Sequence, residues 1–236
     1  MSHKYDWTMK PRRNDCGAFS WVDLVIILAA LLAMAAVLLP ALAKSRARSS
    51  KIGCTNHLKQ IGLGYCQWAI DNGDRFPMSV SVTNGGVMER IESGIVWPTF
   101  SVMSNELNTP KILICPQESN PKRVIATTFA PTVPSGLSAI PFSGETNVSY
   151  FVGLDADEAE PQRILCGDDN FLVSGVKPKP GVLLLWTNTP VAWTKERHIK
   201  QGNIGLADGS VMGVNSGRFG ELLVKTGMAT NRLALP

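Results

Sequence analysis

The sequence predicts an α+β protein in which one long N-terminal helix, membrane-type in its first half and amphipathic in its second, packs on a small antiparallel β-sheet. Three observations predict it. Between residues 19 and 43 only Ser20, Asp23 and Pro40 are not apolar, and Leu24 to Leu39 is an unbroken run of Leu, Ile, Val, Ala and Met. Further on, Leu58, Ile61, Tyr65 and Trp68 fall at the three-four spacing of one helix face, with Lys51, Asn56, Lys59 and Gln60 left for water. Beyond residue 73 the apolar runs are short and punctuated by many of the chain's 21 glycines and 15 prolines, as in a domain of short strands and turns.

At a rise of about 1.5 Å per residue, some twenty helical residues cross the roughly 30 Å hydrocarbon core of a bilayer. A helix satisfies its own backbone hydrogen bonds and so can lie there alone. The competing reading, a buried core helix of a soluble protein, is disfavoured because no polar stripe interrupts the run. Four segments follow: a polar leader at 1–18, a transmembrane and assembly helix at 19–43, its amphipathic continuation at 44–73, and a globular α+β domain at 74–236. The net charge is only +4, and the basic residues gather at the two flanks of the apolar run. That argues against a nucleic-acid surface, which needs a basic stripe on the folded domain. Lys4, Lys10, Arg12 and Arg13 on one flank balance Lys44, Arg46, Arg48 and Lys51 on the other, so charge alone does not orient the helix. No clean signal-peptide cleavage site follows Leu42, where Lys44-Ser-Arg-Ala-Arg is too basic.

The junction Gly17-Ala-Phe-Ser-Trp-Val-Asp23, followed by the apolar helix and Leu39-Pro40-Ala41-Leu42, resembles the type IV prepilin and type II secretion pseudopilin family. The resemblance implies a pilin-like fold and cleavage by a prepilin peptidase between Ala18 and Phe19. It also implies methylation of the new Phe19 amino group and an assembly role for Phe19 and Asp23. Two departures stand out: Ala18 where the family has Gly, and Asp23 where it has Glu. Lipid makes an unpaired carboxylate costly, and the freed amine of a neighbouring subunit is a fitting partner for Asp23. The plainer reading places Asp23 at the water interface, favoured by the helix dipole. Pro40 predicts a kink or local melting near residues 36–40. Leu58-Lys-Gln-Ile-Gly-Leu63 is again similar to this family, especially its planctomycete and verrucomicrobial members. Asn72-Gly73 supplies a helix stop.

In the domain, residues 97–107 are expected as a helix, and 111–115, 148–152 and 182–186 as strands, the last apolar enough to be central. Residues 121–144 read as loop and 218–226 as a short helix. Asp208-Gly209 is expected as a two-residue hairpin turn, setting Ile204 and Leu206 opposite Gly213 and Val211 on one face. His198, nine residues, then Asp208-Gly209 also resembles the H-X9-DG segment of many pseudopilin-like proteins. An extended strand would hold His198 and Asp208 roughly 33 Å apart. The favoured reading gives Asp208 to the turn and leaves His198 on backbone or water.

No catalytic constellation is expected: the chain has no nucleophile elbow, no phosphate-cradling Gly-rich loop and no CxxC pair. No cofactor is expected either. A calcium site in Cys166-Gly-Asp-Asp-Asn170 has only two adjacent acids behind it, and a solvated turn is the favoured reading. Cys16 would leave with the leader, and four cysteines remain. Cys54 and Cys66 are about 18 Å apart on one helix and cannot bond. Cys115 with Cys166 is the candidate disulfide, with reduced, buried thiols at equal odds.

The expected function is a structural subunit of a type II secretion pseudopilus or type IV pilus-like fibre. It would sit in the bacterial inner membrane by a single pass, with its domain in the periplasm. Its partners would be the prepilin peptidase, other pilin subunits, the inner-membrane assembly platform and lipid. The alternative is an uncleaved, single-span periplasmic binding module using Trp97, Trp186 and Trp193 as stacking surfaces; a tethered hydrolase using His198 comes third.

Overall fold

The computed structural model describes residues 21–132 and 138–236. The chain divides into two compact units, Met1–Arg46 and Ala47–Pro236. Helix α1, Trp21–Asp71, runs through their junction without a break in its helical assignment. The local melting expected near residues 36–40 is therefore absent: helix continues through Pro40 on both sides. Residues Trp21–Leu42 form a stretch long and apolar enough to cross a membrane, and none of it is buried by the rest of the chain.

In the second unit, α1 ends where the sequence places its stop. Gly73 takes φ +70°, the left-handed conformation that glycine adopts without penalty, and the Asn72 side chain donates to the Trp68 carbonyl at 2.8 Å. After three short helices, α2 (Met88–Glu92), α3 (Trp97–Val102) and α4 (Ser104–Leu107), come five strands. These are β1 (Tyr150–Gly153), β2 (Ile164–Asp168), β3 (Phe171–Val173), β4 (Gly181–Trp186) and β5 (Val191–Trp193). The chain finishes with β6 (Gln201–Leu206), β7 (Val211–Asn215), α5 (Ser216–Lys225) and β8 (Thr230–Leu235). Six strands form one antiparallel sheet in the order β4-β8-β1-β2-β6-β7, and β3 pairs with β5 apart from it.

Alternation along the strands gives the sheet two buried faces. On one, Cys54, Leu58, Ile61, Tyr65 and Trp68 of α1 share a core with Tyr150, Val152 and Leu165. On the other, Phe219, Leu222 and Leu223 of α5, with Phe171 and Trp193 of the small sheet, cover Phe151, Ile204 and Leu233. The α+β class and the packing of the amphipathic part of α1 on an antiparallel sheet are thus both present.

Several expectations for single elements are corrected. Residues 110–113 form a 3-10 helix rather than part of a strand, because Pro110 suits a first helical position and Thr109 accepts from the Lys111 N–H at 3.4 Å. The helix expected over 97–107 breaks into α3 and α4 at Met103. Strand β4 lies at the sheet's edge and not its centre: Val182, Leu184 and Trp186 point outward and are exposed, while Leu185 is buried. Strands β2 and β8 were not expected, yet both are interior.

The hairpin register also differs by one residue. Ile204 faces Met212, and Gly205 faces Val211. A two-residue turn would need positive φ at both Asp208 and Gly209, but only Gly209 has it, at +78°. Instead Asp208 Oδ1 accepts from the Ser210 N–H at 2.8 Å, and the Leu206 N–H donates to the Ser210 carbonyl at 2.9 Å. The result is a three-residue loop ending in a left-handed glycine. The shift puts Met212 and Val214, rather than Val211 and Gly213, on the face of Ile204 and Leu206.

Two glycines test this packing. A Cβ on Gly153 would sit 1.9 Å from the Ile164 carbonyl oxygen, backbone that cannot yield, whereas one on Gly220 in α5 would meet nothing within 4 Å. Gly153→Ala is expected to destabilise by about 1–3 kcal/mol or more, and Gly220→Ala to stabilise by roughly 0.5–1 kcal/mol. Thermal melts of the two variants against the parent, followed by circular dichroism, check both signs.

Candidate functional site

The seam between α1 and the sheet holds a buried polar cluster. Cys54 lies one helical turn before Leu58 on the stripe that faces the sheet, so packing that stripe carries its thiol inward. Cys115 follows the 3-10 helix at 110–113, Asp168 ends β2, and His198 precedes β6. One ligand-type atom from each of the four lies within 4.8 Å of all the others, and all four residues are buried. Cys54 Sγ donates to Asp168 Oδ1 at 3.1 Å and lies 3.4 Å from the Tyr150 hydroxyl. Cys115 Sγ is 3.3 Å from His198 Nε2, which is 3.5 Å from Asp168 Oδ2.

The groups around the cluster fix its members. Asp168 Oδ2 accepts from the Asn203 backbone N–H at 2.7 Å and its side-chain amide N–H at 2.9 Å, and the Thr55 hydroxyl on α1 donates to Asn203 Oδ1 at 3.1 Å. One residue further along each strand end is an ionic network. Asp169 pairs with Arg123 at 2.7 Å and with Arg197, and Arg197 also lies 3.3 Å from Glu118. The backbone N–H of His198 donates to Gln117 Oε1 at 3.0 Å. His198, Ile199 and Lys200 all have left-handed backbones, with φ of 52°, 49° and 60°. Three such residues in a row, one β-branched, cost about 1–2 kcal/mol each, strain of the kind that persists where surrounding contacts over-determine a site.

Burial pushes the Cys54 thiol well above its usual range. Its neighbour Cys54, and after it His198, pull the Cys115 thiol down to about 6 against the opposing effect of burial. A thiol beside an imidazole and a carboxylate invites comparison with a nucleophilic triad, but the geometry differs. A triad needs the base to face the nucleophile with one ring nitrogen and the orienting acid with the other. Here Cys115 and Asp168 both approach Nε2, and the buried Nδ1 meets no protein partner. What distinguishes the cluster is mutual proximity, one donor atom from each residue lying within 4.8 Å of the other three.

The other expected site residues are placed as follows. Ala18 and Phe19 lie outside the described residues. Asp23 is in the first turn of α1. Asp208 and Gly209 do form the turn, and Gly209 sits against α1, where a Cβ on Gly62 would lie 3.4 Å from its Cα. His198 is not turned to backbone or water through its ring; its side chain is fully buried in the cluster. His198 and Asp208 do not meet. The Cys166–Asn170 stretch is no solvated turn, since Asp168 is buried and Asp169 is ion-paired. The candidate Cys115–Cys166 disulfide is not formed: Cys54, Cys66, Cys115 and Cys166 are all free thiols. Cys166 packs beside Gly205 within β2, while Cys115 is engaged by His198. Of the three tryptophans, Trp97 packs edge-on against Phe142, Trp193 stacks on Phe219, and only Trp186 is exposed.

Cys54 is the site residue that the sequence reading misses, while Asp168 enters it only within the calcium alternative at Cys166–Asn170. The signal was available for Cys54, which falls on the Leu58–Ile61 stripe at i−4 and i−7. No local pattern joins it to its partners, which come from three separate segments.

Arg197→Met should leave Glu118 and Asp169 under-paired in a buried setting and cost about 3 kcal/mol, read from chemical denaturation. Ile199→Gly removes an exposed side chain from a left-handed position and should add about 1 kcal/mol, read from the same titration. No protein-family model, curated protein or solved structure matches this chain.

Proposed function

We propose that this protein is a membrane-anchored structural subunit of the prepilin or pseudopilin kind, whose helix bundles with copies or relatives of itself in a fibre. One observation carries the reading. A helix that is apolar on all sides over Trp21–Leu42, with an acid in its first turn, continues without interruption into the amphipathic spine of an α+β domain. The junction residues Gly17 to Asp23 add the processing signal. In this reading a prepilin peptidase removes residues 1–18, and the methylated amine of Phe19 pairs with Asp23 of a neighbouring subunit. The domain then stands in the periplasm above the inner membrane. The fibre would serve type II secretion or act as a type IV pilus-like filament, held by the inner-membrane assembly platform, with membrane lipid around the unassembled helix and no nucleic acid partner. The role is assembly rather than turnover. The binding-module alternative is less well supported, because only one of its three tryptophans presents a face to solvent.

Intact mass of the protein purified from its native membrane tests this directly. Loss of residues 1–18 with one added methyl group is the expected result; a chain that keeps its leader sinks the reading. Asp23→Ala should still insert and be cleaved, yet fail to enter fibres or crosslinked oligomers.

A further inference from the structure

We propose that Cys54, Cys115, Asp168 and His198 are the four ligands of a Zn²⁺ ion that pins α1 to the β-sheet. The assignment goes beyond the fibre reading and does not rest on it. Zinc bonds of about 2.3 Å to sulfur and 2.0–2.2 Å to nitrogen and oxygen, set tetrahedrally, separate neighbouring donors by roughly 3.3–3.8 Å. The spacings found are 3.1 Å from Cys54 Sγ to Asp168 Oδ1, 3.3 Å from Cys115 Sγ to His198 Nε2, and 3.5 Å from Nε2 to Asp168 Oδ2. All the donors fall within 4.8 Å of one another, so a single ion can reach each of them with small adjustments.

The convergence matters as much as the distances. A hydrogen-bonded core quartet pairs each donor with its own acceptor. In this cluster one imidazole nitrogen faces both a thiol and a carboxylate oxygen, while a second thiol faces the same carboxylate. The donor set selects the metal. Two thiolates and an imidazole suit a borderline-soft cation and not calcium or magnesium, which take oxygen ligands. Four protein ligands leave no open position, so the site is structural rather than hydrolytic. Outer partners of the usual kind are present, with Asn203 holding Asp168 by two N–H donors. A pocket lined by Arg48, Lys51, Gln117, His198, Ile199 and Gln201 lies beside the histidine.

Binding breaks the S–H bond of each thiol still protonated, forms two Zn–S bonds and releases the protons to solvent, with no change of oxidation state. The competing fate of two adjacent thiols in an oxidising compartment is a Cys54–Cys115 disulfide, which requires an external oxidant.

The test uses the full-length chain, expressed in zinc-supplemented medium and purified in detergent without chelator. Elemental analysis should find one zinc per chain in the parent and in the Cys166→Ser control, whose buried thiol lies outside the cluster. Cys115→Ser and His198→Gln should lose it. Should those two variants fail to fold, the parent protein with Co²⁺ in place of Zn²⁺ still decides. It should show thiolate-to-cobalt charge transfer and the visible bands of tetrahedral cobalt. A parent protein without stoichiometric metal overturns the proposal, as does zinc retained by both ligand variants. So do a cobalt spectrum without thiolate bands and a chain lighter by two hydrogens with Cys54 and Cys115 joined.

Discussion

Polar groups buried without water must find partners inside the protein, and that requirement organises the seam between α1 and the sheet. The stripe of α1 that packs on the sheet is apolar at Leu58, Ile61 and Tyr65 but begins with a thiol, Cys54. Laying the stripe down therefore brings sulfur against the Tyr150 hydroxyl and the Asp168 carboxylate. Asp168 tolerates complete burial because Asn203, on the adjacent strand β6, donates to it twice. Asn203 in turn is held by Thr55, the residue after Cys54. Helix and sheet are thus tied by a closed polar circuit set among apolar contacts. Next to it, Asp169 turns the other way to meet Arg123 and Arg197, so two neighbouring acids serve two different systems.

How much of this the sequence discloses depends on the range of the interactions concerned. Periodicity is local, and the long helix, its apolar half, its stripe and its stop at Asn72-Gly73 are all legible from it. Strand β4 reveals itself as apolar but not as an edge, because edge position depends on pairing with β8 from the far end of the chain. Strand β8, with Asn231 and Arg232 in its six residues, carries no alternation strong enough to find. The hairpin shows the limit most clearly. Asp208-Gly209 announces a turn, but whether two or three residues form it depends on the backbone of Asp208, and one residue of slip exchanges the faces of β7. The polar cluster is the least legible feature: its four residues lie in four elements, and only the folded sheet brings them together.

Helix α1 also changes its solvent requirement without changing its secondary structure. A single stripe suffices to cover a sheet, as residues 54–69 do. Residues 21–42 are apolar on every side, and Val25, Leu32, Val37 and Leu39 all stand exposed. Packing one stripe on a sheet cannot satisfy a helix apolar all round. Lipid or a bundle of similar helices can. In the fibre proposed above, a subunit leaving the bilayer would exchange one apolar surrounding for the other. The energetic difference between the two is then set by the few polar features, Asp23 foremost, more than by apolar area.

The nine-residue interval between His198 and Asp208 has a geometric cause in this fold. The segment runs along α1 and touches it at both ends, His198 beside Cys54 and Gly209 beside Gly62 and Cys66. From Cys54 to Cys66 the helix advances about 18 Å. Strand β6, six residues at about 3.3 Å each, covers roughly 20 Å. The three left-handed residues 198–200 fold the chain back at one end so that the imidazole enters the seam, and the left-handed Gly209 closes the other. One residue more or fewer in β6 would reverse the faces of every strand side chain past the change, or draw either His198 from the cluster or Gly209 from the helix. The spacing of the motif is thus a ruler matched to just over three turns of α1. Its histidine and its Asp-Gly pair need never meet, since each anchors one end of a strand against the same helix.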